Sequence, residues 1–208
     1  VGGNIAMTAG ASTSNNGGQI LIESGTSSTI SSGAVSLVTG ASSASTGNMN
    51  VASGNAVQSS GSIGIETGDS SSGSAGKIDF STGKSVDAQG ASISLVAGSS
   101  TTSTGGSVVL QSGSSSQGVS GQVQIDTTDS TLQTGAISIN TGESSGVSTG
   151  MISMKSGSAT SGAAGSFSIV GGSSSSKSGS DVLLQAGSSQ DQDGGSVVIS
   201  TGGSAQAS

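Results

Sequence analysis

Gly18-Gln19-Ile20-Leu21-Ile22-Glu23-Ser24-Gly25-Thr26-Ser27 is the stretch on which the reading of this chain turns. A glycine leads. Two large apolar residues follow with one position between them. A small residue and a second glycine close the phrase, and a serine stands two positions further on. Reduced to a frame, this is Gly-x-φ-x-φ-x-small-Gly-x-Ser, with φ large and apolar. The frame also fits Gly3, Ile5, Met7 and Gly10 upstream, and Gly33, Val35, Leu37 and Gly40 downstream.

Self-similarity at a fixed period is the first thing to establish in such a chain. The φ-x-φ pair recurs at Met49 and Val51, Ile63 and Ile65, Ile78 and Phe80, and Ile93 and Leu95. It continues through Val108 and Leu110, Val123 and Ile125, Ile137 and Ile139, and Ile152 and Met154. Phe167 and Ile169, Val182 and Leu184, and Val197 and Ile199 complete fourteen copies. Closing positions are 15 residues apart, falling to 14 three times. Ala91 replaces the leading glycine in one copy, and Thr128 replaces one closing glycine.

Alternation with period two is the strand signal, and Ile, Val and Leu suit a pleated surface. The fold expected is therefore all-β: a single β-solenoid of about fourteen coils, 14–15 residues each, with no helices. Stacked at one strand spacing per coil, it would form a rod on the order of 65 Å long. In that fold the φ positions make two inward ladders. The small column (Ala9, Ser24, Thr39, Ser53, Thr67, Thr82) and the mostly serine column (Ser12, Ser27, Ser42, Ala56, Ser70, Ser85, Ser100) also point inward, as a thinner wall. Flanking glycines such as Gly10, Gly25 and Gly40 sit at corners that need positive φ or close backbone approach. Two large side chains per coil are few against the entropy of ordering 15 residues. Ladders, hydroxyl columns and lateral partners have to supply the remainder.

The expected domain organisation is one continuous repeat array over 1–208 without obvious caps. An uncapped array, starting at Val1 rather than Met, is expected to belong to a longer array or filament.

Composition excludes several function classes. Gly is 38 residues, Ser and Thr make up roughly a third of the chain, and only 7% of residues are charged. Net charge is −7, with four lysines as the only cations. Nucleic acid and anionic membrane surfaces require clustered Lys or Arg, so neither is expected as a partner. No apolar run approaches membrane-spanning length, and no signal-peptide pattern is read at the start. There is no His or Cys, hence no standard nucleophile–base pair, no zinc or haem site, and no disulfide.

The expectation is a chain that is not an enzyme, with no catalytic, cofactor-binding or metal site. Carboxylates Asp79, Asp87, Asp126, Asp129, Asp191 and Asp193 fall in different registers and read as a solvated face. Asp191-Gln192-Asp193 is an isolated candidate for a cation, unlike the recurrent Asp of calcium-binding β-rolls. Asn-x-Ser/Thr sequons are absent, whereas the Ser and Thr runs suit O-linked sugars.

The phrases Gly-Gly-Ser-Val-Val-Leu-Gln-Ser-Gly-Ser-Ser-Ser (105–116) and Gly-Gly-Ser-Val-Val-Ile-Ser-Thr-Gly-Gly-Ser (194–204) resemble Ser/Gly-rich repeat proteins of microbial and algal surfaces and extracellular matrices. That resemblance implies a structural extracellular or cell-surface protein: a rod, stalk or self-assembling fibre, or an adhesin. Its expected partners are further copies, end to end or lateral, and glycans. Some insect antifreeze proteins are similar in having coils of this length, which makes ice binding an alternative. Against it, the alternate strand positions (Gln19-Leu21-Glu23, Lys77-Asp79-Ser81) are irregular and charged. Polysaccharide binding by a repeat rod is the third reading.

Overall fold

The computed structural model describes residues 2–203. These residues contain neither helix nor strand; they are coil, punctuated by thirteen bends, one after each closing position from Gly10 to Gly187. Two units divide the chain, Val1–Val108 and Val109–Ser208.

The unit Val1–Val108 is built from seven apolar segments and the loops that follow them. Three of its loops are closed at the base by one backbone bond. Gly18, Gly33 and Gly106 donate their N–H to the carbonyls of Gly10, Gly25 and Gly98, at 2.8, 3.0 and 2.9 Å. Bends lie between, at residues 13–15, 28–30 and 101–103.

The unit Val109–Ser208 follows the same plan. Gly121, Ser180 and Gly195 donate to the carbonyls of Gly113, Gly172 and Gly187, at 2.8, 3.0 and 2.9 Å. In both units the bond spans eight residues, from a closing position to the next leading position.

The β-solenoid expectation is overturned by this pattern. Coils stacked in register exchange backbone bonds 14 or 15 residues apart. Among the described residues, every backbone–backbone bond instead spans only eight residues, across one loop, and no strand ladder exists. The expected rod of stacked coils goes with it. The physical reason is the shortage noted in the sequence. Two large side chains per repeat give too little apolar burial to hold 15 Gly- and Ser-rich residues in register. What survives is the cheapest local closure, a loop of eight residues.

No described residue is buried, so neither apolar ladders nor an inner hydroxyl wall exist. The glycine expectation needs correction as well. No described glycine has positive φ. Close approach is the operative demand, and it falls on leading glycines such as Gly18, Gly33, Gly106, Gly121 and Gly195.

Candidate functional site

Three local devices recur along the chain, and each follows from the residues that build it. The first is the neck. The small residue that precedes a closing glycine faces the next leading glycine across the loop base. A Cβ built on Gly18 would lie 3.2 Å from Ala9 Cβ and 3.1 Å from the Gly10 amide nitrogen. On Gly33 it would lie 3.2 Å from Ser24 Cβ, and on Gly121, 3.3 Å from Ser112 Cβ. Glycine suits the position because a side chain there would have to push its partner back by a few tenths of an ångström. Ala9, Ser24, Ala97, Ser112 and Ala186, with Ser85, are the least exposed residues described, each half-covered.

One repeat inverts the pair. Gly171 occupies the small position and Ser180 the leading position. A Cβ on Gly171 would lie 2.9 Å from both the carbonyl oxygen and Oγ of Ser180. Ser180 Oγ donates a second bond to the Gly172 carbonyl at 3.2 Å. One side chain per pair is thus the rule, whichever side supplies it. Where both positions carry a Cβ, at Thr82 and Ala91, the Thr82 hydroxyl donates to the Ala91 carbonyl at 3.2 Å and no backbone bond closes the loop.

Closure tracks the size of the small residue and the loop length. The six closed necks carry Ala9, Ser24, Ala97, Ser112, Gly171 and Ala186, all in full-length repeats. Necks with Thr67 and Thr141 are open. Their Cγ2 methyls lie 3.3 and 3.5 Å from where a Cβ would stand on Gly76 and Gly150. Loops one residue shorter, after Gly40, Gly54 and Thr128, are open as well. The neck at Ser156 is open and nothing in the structure explains it.

The second device is the capped bend. Each of the eleven serines at the Gly-x-Ser position, from Ser12 to Ser189, accepts a backbone N–H on its Oγ. Asn15, Ile30, Ser103, Gly118 and Gln192 donate from three residues on, at 2.8–3.1 Å. This is the local turn chemistry that serine hydroxyls favour. In the two shortened loops that keep the serine, Ser42 and Ser130 reach only the N–H two residues on, at 3.2 and 3.3 Å. The expected inward serine column is therefore a column of exposed caps. Ala56 and Ala159 lack the hydroxyl and cap nothing.

The third device is the apolar segment. In the second to fourteenth repeats the first φ residue is 43–57% exposed and the second 58–88%. A further set of aliphatics, Ile30, Val57, Val86, Val119, Leu132 and Val147, lies on or beside the bends and is 85–104% exposed.

The carboxylates weighed in the sequence are not brought together. Asp79 pairs with Lys77, both well exposed, in a contact of the kind that adds little. Asp126 accepts from Gln124 Nε2 at 3.0 Å. Among the described residues no three His, Cys, Asp or Glu side chains, those of Asp191 and Asp193 included, gather as a metal site; no cavity is present. Among the described residues no helix is long and apolar enough to cross a membrane.

Sequence reasoning missed the neck. The available signal was the simultaneous exchange at Gly171 and Ser180, where the leading glycine is lost in the repeat that gains one at the small position. No protein family, curated protein or solved structure matches the chain.

Proposed function

We propose that this chain is a structural extracellular protein whose repeats self-associate, side to side or end to end, into an adhesive fibre. One observation carries the reading. The large apolar pair is exposed in every repeat while no described residue is buried. Contiguous exposed apolar surface in a polar chain is the ordinary mark of an association surface. Here it recurs fourteen times at nearly constant spacing, so weak contacts add through multivalency rather than through one strong site.

Charge supports the same reading. Only 7% of residues are charged, so copies approach with little desolvation cost and modest repulsion. The Ser-capped bends remain hydrated and offer hydroxyls to glycan surfaces. The extracellular setting rests on the resemblance to surface repeat proteins.

Sedimentation velocity and negative-stain microscopy over a concentration series test the proposal. Polymers should form above a threshold concentration. A monodisperse monomer at every concentration would falsify it.

A further inference from the structure

Not all apolar segments are equivalent. In most repeats the residue between the two φ positions is polar or small, such as Ser94, Gln124 or Ser138. In four it is also a large aliphatic, giving Ile20-Leu21-Ile22, Val108-Val109-Leu110, Val182-Leu183-Leu184 and Val197-Val198-Ile199. The middle residues Leu21, Val109, Leu183 and Val198 are 69%, 78%, 81% and 81% exposed. An alternating segment has one apolar face to cover. A triad has two.

The backbone of these triads is equally unpartnered. None of their N–H or C=O groups takes part in a backbone–backbone bond, all of which sit at the loop necks. Unpaired backbone combined with β-favouring side chains, no proline and little charge is a template for strand pairing with another chain. The repeat containing Val108-Val109-Leu110, residues 99–113, has no charged residue at all.

We infer that these four triads nucleate the self-association, each pairing its backbone with a triad of a second copy of this chain. The inference rests on the fibre reading above and names the partner and the contact. The pairing lies between copies, and the isolated chain stays coil.

Three points single out a second copy as the occupant. The chain exposes 20746 Å², whereas a compact protein of this mass exposes roughly 8000 Å². The surplus is several times the roughly 1600 Å² that a stable interface buries. A like triad is also the one surface certain to match another in backbone direction, side-chain spacing and apolarity on both faces. Finally, a residue on each side of the pairing plane lets a triad be covered from two directions, which permits growth beyond a dimer.

The test compares two full-length variants with equal loss of aliphatic residues. One carries Leu21→Ser, Val109→Ser, Leu183→Ser and Val198→Ser. The other carries Ile30→Ser, Val57→Ser, Val119→Ser and Leu132→Ser at the bends. Pelleting assays give the assembly threshold, and fibre diffraction gives the backbone spacing. The triad variant should raise the threshold at least about tenfold. The bend variant should stay within about twofold of the unaltered chain. Unaltered fibres should diffract at about 4.8 Å. Fibres without that reflection, or equal thresholds for the two variants, overturn the triad inference and leave the fibre reading standing. No assembly by the unaltered chain overturns both.

Discussion

Gly171→Ala tests the neck at its tightest point. A Cβ there would stand 2.9 Å from the Ser180 carbonyl oxygen and 2.9 Å from its Oγ. Real Cβ atoms do not tolerate that, and one of the two contacts is backbone. The loop base must therefore part. Two bonds to the Gly172 carbonyl are lost, from Ser180 N–H at 3.0 Å and Ser180 Oγ at 3.2 Å.

Each is worth roughly 0.5–1.5 kcal/mol, and exposure to water places both at the low end. Alanine also restricts the open chain, which works the other way by about 0.4–1 kcal/mol. At about 0.5 kcal/mol each the bonds total about 1 kcal/mol and win by up to about 0.6 kcal/mol, a fall of up to about threefold in the closed-to-open ratio. Amide hydrogen exchange by NMR reads this directly at Ser180, with Gly106 and Gly195 in the same molecule as references.

The double variant Gly171→Ala/Ser180→Gly rebuilds the arrangement of Ala9 with Gly18 and of Ala186 with Gly195, both of which are closed. It should recover the protection that the single variant loses. Unchanged exchange at Ser180 in Gly171→Ala, or a double variant as open as the single one, refutes the one-side-chain rule.

Thr67→Ala removes the methyl that crowds Gly76; its amide should then slow in exchange toward the rate of Gly18. Ser12→Ala deletes the acceptor for the Asn15 and Ser14 N–H groups. The Asn15 amide should exchange about two- to fivefold faster, with no change at Ile30 in the next bend. Copies carry a net charge of −7, so added sodium chloride should lower the assembly threshold measured by light scattering. A threshold that rises with salt would mean that the contacts are ionic.

Much of the organisation was legible in the residues. The period of the repeat recurs in the described residues as thirteen bends, each following an exposed apolar pair. The solenoid was not there. Alternation at Ile20 and Ile22 says which side chains share a face, but it does not supply a neighbouring strand to pair with. The serine column misled for a similar reason. A small hydroxyl residue recurring at Ser12, Ser27 and Ser42 looks like a wall when read down the repeat. Read along the chain, it is an acceptor three residues before a bend amide, and both demands have the same period. The glycine column was half legible. Close approach was recognised, but its object, the small residue nine positions earlier, emerged only when Ala9 and Gly18 were seen across one neck.

The confinement of every described backbone bond to a single loop has a mechanical consequence. Eight residues between closed ends can pay out to about 26–29 Å when pulled straight. Each of the six closed necks therefore stores a short length of slack behind one exposed backbone hydrogen bond, seconded at Ser180 by its hydroxyl. Among the described residues no bond links neighbouring loops, so they yield one at a time and reseal independently. A tether made this way absorbs load in small separate steps, softening before it becomes taut, rather than failing all at once as a cooperatively folded rod would.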